Sequence, residues 1–354
     1  MIRVLVPSVP AIEAAIPYIR RSEEARWYSN WGPNVLELER RLSDHYRGAY
    51  VVTVSSCTAG LELAYTLKMI EGYRKIELPA LTFPATWLAA NRSGLEIVPI
   101  DVDPQTWIAP GVSGFGVPSY APVVDAAAAW GEQDVPIVKA GMIAVFSMHA
   151  TKTLGCGEGG FIVTWDEGEA EELRRMSNFG IDPADKTSKG PGTNAKMSEY
   201  HAAVGLAALD AFSREPWLEL DSWYRRYLPA RVVQQKRPAG VYPILAVRCP
   251  RPAGEVVAAM AASGVECRRW YTPTLDRHPM FAKPGNRAAR RAHPVKLPVT
   301  HDLAEHLVGL PYHLFLTEAD VRRVCEALDA ACETESAATR LGAETAATTS
   351  AASA

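Results

Sequence analysis

Lys152 is the residue of this chain best placed to act as a reactive amine. It follows the apolar run Ile143-Ala-Val-Phe146 and stands among glycines at 155, 157, 159 and 160. The run reads as a short buried strand, and glycines permit the turns and close approach that a constrained loop needs. An amine held there could attack a carbonyl, although a lysine taken alone also suits a solvated surface. Asp125, in Pro122-Val-Val-Asp125, stands at the carboxyl end of another strand candidate. That is the edge where open α/β sheets bind ligands, and a carboxylate there needs a partner unless it only caps a helix.

Four further segments carry chemistry. In Val54-Ser-Ser-Cys-Thr-Ala-Gly60, small hydroxyl residues lie between a strand and a helix start, where backbone N–H groups and the helix dipole could hold a phosphate. An ordinary Ser/Thr cap would look the same. In Leu78-Pro-Ala-Leu-Thr-Phe-Pro-Ala-Thr86, Phe83 could stack on a planar ligand or simply pack in the core. Asn194 precedes a helix, as many turn asparagines do. Cys267-Arg-Arg-Trp-Tyr-Thr-Pro-Thr-Leu-Asp-Arg-His278 joins arginines to aromatics, and arginine forks suit a nucleotide diphosphate or a donor carboxylate. Arg268, Arg269, Trp270 and Tyr271 are therefore the candidate substrate residues, the alternative being a strand edge with solvated arginines.

Positioning these groups requires alternating strands and helices. Strand patterns at 51–54, 97–100, 122–124, 143–146 and 161–164 alternate with helical patterns at 35–42, 59–69 and 198–212, which predicts an α/β fold with a mostly parallel sheet. From Trp217 the pattern changes to a charged aromatic helix, a strand at 241–247, a helix at 254–262 and an arginine-rich strand at 265–270. This suits a smaller α+β lobe. The expected organisation is a large lobe over 1–215, a small lobe over 216–334 and a disordered, Ala/Thr/Ser/Glu-rich tail over 335–354. Thr317 and Asp320 predict a capping box at the last helix.

Composition excludes several classes of function. The chain has 354 residues, 48% of them hydrophobic, and a formal charge of -3, which suits a soluble globular protein with no nucleic-acid partner. Six scattered cysteines without a C-x-x-C pair point to neither a metal site nor a disulfide framework, and so to a reducing cytoplasm. No segment reads as a signal peptide or a membrane span.

In this order the segments resemble the DegT/StrS group of sugar-nucleotide aminotransferases, pyridoxal-phosphate enzymes of aminotransferase fold type I. The resemblance covers most of residues 25–212, starting at Trp31-Gly-Pro and the Leu38-Glu39 helix, and weakens in the second lobe. It implies that Lys152 forms the Schiff base, Asp125 pairs with the pyridine nitrogen and Phe83 stacks on the ring. Thr58, Ala59 and Ser147 would hold the phosphate, and Asn194 would reach it from the neighbouring subunit of a homodimer with shared sites. The implied activity moves an amino group from L-glutamate to a nucleotide-linked keto-deoxyhexose in amino-sugar biosynthesis; a cyclitol ketone acceptor and a non-catalytic regulatory protein are the alternatives. The residue types suit this chemistry. Desolvation beside a cationic ring lowers a lysine pKa, and a carboxylate keeps the ring nitrogen protonated so that the ring can absorb carbanion charge.

Three departures from the group's pattern stand out. Cys57 replaces a common glycine. Ala128 replaces a Gln or His that would contact the cofactor's ring hydroxyl. Between Asp101 and Asp125 a strand and a helix are reduced to a Gly/Pro-rich stretch, in which Val112-Ser-Gly-Phe-Gly116 is the candidate remnant of the strand.

Overall fold

The structure is a computed structural model and describes residues 1–109, 122–131, 141–282 and 296–333. Helices α1 (Ile12–Ala25) and α2 (Pro33–His45) lead into strand β1 (Tyr50–Val54) and helix α3 (Cys57–Ile70). Then follow β2 (Lys75–Pro79), α4 (Pro84–Ser93), β3 (Glu96–Ile100), β4 (Val123–Asp125), β5 (Ile143–Ser147) and β6 (Gly160–Thr164). Helices α5 (Glu167–Ser177) and α6 (Glu199–Ala211) complete this part.

The main sheet has the order β1-β6-β5-β4, with β2 and β3 as a separate parallel pair. β4 and β5 are parallel, whereas β6 is antiparallel to both β5 and β1. Three of the four strands therefore run one way, as the alternating pattern predicts, and β6 is the exception. The chain returns from β5 to β6 through the loop 148–159 with no crossover helix, and only antiparallel neighbours can be joined so simply.

Strand residues divide by parity between two apolar layers. Val52, Val54, Ile143, Val145 and Ile162 pack toward α3 and α4. Val51, Ala144, Phe146, Phe161 and Val163 pack toward α2 and α6, with Phe146 and Phe161 stacked at 4.8 Å. Period-2 alternation with both faces covered is why these strands are apolar throughout.

A second core is built from α7 (Glu215–Tyr227), β8 (Leu245–Arg248), α8 (Ala253–Ala262), β9 (Leu307–Leu310) and α11 (Glu318–Glu333), with the exposed β7 (Val233–Gln234) pairing along β8. Helix α9 (Pro279–Ala282) instead carries Phe281 into the first core, and α10 (Pro298–His306) packs Leu303 with Val102 and Leu307. Thr317 and Asp320 form the expected reciprocal cap of α11: the Thr317 N–H donates to Asp320 Oδ2 at 3.0 Å, and the Asp320 N–H to Thr317 Oγ1 at 3.2 Å.

Some local expectations are corrected. The strand expected at 241–247 forms only over Leu245–Arg248, because Pro243 has no N–H to give a ladder. The strand expected at 265–270 is reduced to isolated bridges of Val265 with Ile2 and of Arg268 with Gly309. Beyond Arg268 the Trp270 indole lies against Gly309, in space that a Cβ there would fill. The proposed remnant at 112–116 and the tail at 335–354 lie outside the described residues.

Candidate active site

Lys152 is fixed by a loop that folds back on itself. Its N–H donates to His149 O at 2.8 Å, while Ala150 N–H reaches Gly157 O and Cys156 N–H reaches Met148 O, each at 2.8 Å. Gly157 has a φ of +101°, and a Cβ on Gly155 would stand 3.0 Å from Ala150 O, so the fold of the loop depends on both glycines. The Lys152 side chain is half-buried. Burial pushes its amine below the usual lysine range, against the opposite pull of the Asp125 carboxylate.

Asp125 ends β4 opposite Val145 of the parallel strand β5, which runs on to Ser147. Its two oxygens have separate donors. Thr86 Oγ1 donates to Oδ2 at 2.6 Å, and Ala127 N–H donates to Oδ1 at 3.1 Å. Cys57, in the first turn of α3, completes the group. Burial raises its thiol well above the usual range; Asp125 adds to that shift and Lys152 opposes it. Amine, carboxylate and thiol thus share one poorly solvated space.

Phe83 is the N-cap of α4 and is 60% exposed, which rules out the core-packing alternative. Its ring meets Tyr271 edge-on, with centroids 6.4 Å apart. The Tyr271 hydroxyl is pushed up to about 12 by burial and by the Asp125 carboxylate, which brings the second lobe to the same site.

The phosphate candidates lie at the start of α3 and the end of β5. Ser56 caps α3 by accepting the Ala59 N–H at 3.1 Å, and Thr58 is half-buried beside it. Ser147 is 7% exposed, and its Oγ accepts the His149 N–H at 3.2 Å. Asn194 is exposed, and the carbonyl of its neighbour Ala195 takes the Ser55 N–H at 2.7 Å. Ala128 is exposed and has no polar side chain to offer.

The arginines diverge. Arg268 is exposed, with Glu266 at 3.8 Å and Trp270 beneath it at 5.6 Å. Arg269 donates to Ala304 O of α10 at 3.3 Å and so serves the scaffold. Two partners went unread in the sequence. One is Thr86, whose only signal is its place three residues after an aromatic at a helix start. The other is Asp101, which accepts the Val299 and Thr300 N–H groups of α10 at 3.0 and 2.7 Å. Among the described residues, no cluster of three His, Cys, Asp or Glu side chains could hold a metal.

The model of the DegT/DnrJ/EryC1/StrS aminotransferase family matches residues 11–110 and 121–329. The chain belongs to this family. Protein Rv3402c of Mycobacterium tuberculosis is 28% identical over 92% of this chain and 90% of its own length. The dTDP-4-amino-4,6-dideoxy-D-glucose transaminase of Shigella dysenteriae is 29% identical over 63% of this chain and 69% of its own. DesI, solved in the presence of its TDP-sugar product, superposes with a TM-score of 0.77 at 28% identity, covering 93% of each chain.

This member of the DegT/DnrJ/EryC1/StrS family is thus an aminotransferase that depends on pyridoxal phosphate. Its residues fit that group. A desolvated amine faces a carboxylate, an exposed ring stands between sheet edge and small lobe, and the first turn of α3 offers backbone N–H groups. At Gly160 a Cβ would meet Cys57 N and Phe146 O at 2.7 Å each, so only glycine lets β6 close against the start of α3. No helix among the described residues is long and apolar enough to cross a membrane.

Proposed function

We propose that this aminotransferase moves the amino group of L-glutamate to a nucleotide-linked keto-deoxyhexose, with Lys152 and Asp125 as its catalytic residues. The observation that carries the reading is the placement of a half-buried Lys152 on the loop after β5 together with Asp125 at the end of the adjacent β4, its two oxygens held by Thr86 and Ala127. Burial in this setting pushes the amine below its usual range. Bound pyridoxal phosphate supplies the carbonyl that accepts the amine and the ring that withdraws electrons. Lys152 would hold the cofactor through its Nζ, which must be the free base to do so, and once displaced by the donor's amine it would carry the proton to and from the substrate carbon. Asp125 would hold the proton of the ring nitrogen, Phe83 would cover the ring face, and Thr58, Ala59 and Ser147 would bind the phosphate.

The nucleotide-linked acceptor is supported by the dTDP-sugar and TDP-sugar named for two relatives. Arg268, exposed above Trp270, is the group on this side free to meet a diphosphate. A homodimer would cover Trp27, Tyr28 and Tyr200, which are exposed where α1 meets α6, with Tyr28 stacked on Tyr200 at 5.9 Å, and would bring Asn194 to the neighbour's phosphate. Six buried free cysteines are compatible with a reducing cytoplasm.

The test is the visible spectrum of the purified protein with pyridoxal phosphate, before and after L-glutamate. A cofactor band that glutamate bleaches is expected. A band indifferent to glutamate would overturn the donor, and its absence would overturn the catalytic reading. Inhibition by nucleoside diphosphates is expected for a nucleotide-linked acceptor; indifference to them would favour a cyclitol ketone.

A further inference from the structure

Asp125 must present one oxygen to a ring nitrogen, yet a carboxylate on a short side chain is free to rotate unless something stops it. Two donors from different elements stop it here. Thr86, the third residue of α4 and 2% exposed, donates Oγ1–H to Asp125 Oδ2 at 2.6 Å. The Ala127 N–H, in the turn after β4, donates to Oδ1 at 3.1 Å. Rotation of the carboxylate would break both bonds at once.

The direction of the hydroxyl chain can be assigned. Thr82 Oγ1 lies 3.3 Å from Thr86 Oγ1, and either oxygen could be the donor from distance alone. An ionised carboxylate only accepts, so the single Thr86 proton is committed to Asp125. Thr82 must then donate to Thr86. The line therefore runs from half-buried Thr82, just before α4, through buried Thr86 to Asp125.

The first turn of α4 is itself held. Pro84 occupies the first position of α4, and the Trp87 indole N–H donates to Pro79 O at the end of β2 at 2.9 Å. Phe83 belongs to the same turn and presents its ring to the site.

We propose that Thr86, backed by Thr82, is a positioning residue that sets the Asp125 carboxylate against the cofactor's ring nitrogen. The proposal rests on the reading of Asp125 as the partner of that nitrogen. One helix start then does two jobs: its cap supplies the ring face, and its first turn orients the carboxylate.

The experiment compares Thr86→Val, Thr86→Ser, Thr82→Val and Asp125→Asn as holoenzymes carrying pyridoxal phosphate labelled with nitrogen-15 in the ring. It reads the nitrogen resonance together with kcat and KM for L-glutamate. Thr86→Val is expected to shift the resonance toward that of Asp125→Asn and to lower kcat about tenfold, the worth of one hydrogen bond to a charged group, with KM for glutamate nearly unchanged. Thr86→Ser should restore both, and Thr82→Val should move both in the same direction by less. A native resonance and native kcat in Thr86→Val would overturn the proposal while leaving Asp125 its role. A native resonance in Asp125→Asn would instead overturn the reading of Asp125 beneath it.

Discussion

The two sides of the site are held in different ways. On the large-lobe side, Asp125 and Ser147 end adjacent parallel strands, and Lys152 sits on a loop whose backbone bonds close within residues 148–159. On the other side, the segment 268–278 belongs to no strand. Arg268 bridges Gly309, Thr272 Oγ1 and Arg269 both donate to Ala304 O of α10, and His301 of α10 meets Asp276 at 2.8 Å. Leu275 buries itself in the large-lobe core, and its N–H donates to Ala80 O at 3.0 Å. The proposed catalytic residues therefore hang on a sheet edge, while the proposed substrate segment is slung between lobes on α10. Changes on the first side should act on turnover and changes on the second on acceptor binding.

The most severe break on the sheet side is Lys152→Ala. It removes the amine proposed as both nucleophile and proton carrier, so kcat should fall about a thousandfold or more. Borohydride reduction followed by peptide mass spectrometry should find the cofactor attached to the Lys152 peptide in the wild type and to no peptide in the variant. Attachment at another lysine would refute the assignment.

On the slung side the corresponding break is Asp101→Ala. Asp101 directly follows β3 and caps α10 from a distance of 199 residues in sequence, in place of the absent side-chain cap at Leu297. Losing a cap of this kind costs about 1–2 kcal/mol and loosens the helix that holds the proposed substrate segment. The acceptor KM should rise up to about tenfold on that basis, with cofactor attachment to Lys152 unchanged. A fall in kcat with KM unchanged would erase the distinction between the two sides.

Legibility divided along the same line. Lys152, Asp125 and the start of α3 could be read because local patterns place them: an apolar strand, a punctuating turn, glycines. The exposure of Phe83 was not legible, since an aromatic after a strand is equally a core residue. Thr86 meets Asp125 across 39 residues and Asp101 meets α10 across 199, and no periodicity marks such pairs. At 265–270 the composition suits a strand, but a strand needs a continuous partner, and only Gly309 pairs with this stretch beyond the single bridge to Ile2.

The Asp101 cap has a pH signature. Burial pushes its carboxyl up, but the donors on Thr300, Val299 and Val102 outweigh that and leave it lowered. A lowered folded-state value means stability that is fully present above the unfolded-state pKa, about 3.9, and is lost as pH falls through the folded value. Thermal melts from pH 3 to pH 7 should show Asp101→Asn less stable than the wild type near neutrality, with the gap closing in acid. A constant gap would mean that the charge of Asp101 contributes nothing to the cap.

The smallest effect separates the two arginines. Arg268 is exposed, and its ion pair with Glu266 at 3.8 Å is of the kind worth about 0–1 kcal/mol, so Arg268→Ala should leave the melting temperature almost unmoved. If its guanidinium meets the acceptor's diphosphate, the acceptor KM should nonetheless rise several-fold, the cost of an exposed charge-assisted contact. Arg269→Ala should do the reverse. Its loss leaves Ala304 O with the Thr272 hydroxyl but without the Arg269 link, lowers the melting temperature and reaches the acceptor only through the position of Tyr271. Measuring acceptor KM and melting temperature for both variants places each arginine. A KM response confined to Arg269→Ala would transfer recognition from the exposed residue to the scaffold, and the slung segment would then act through its shape alone.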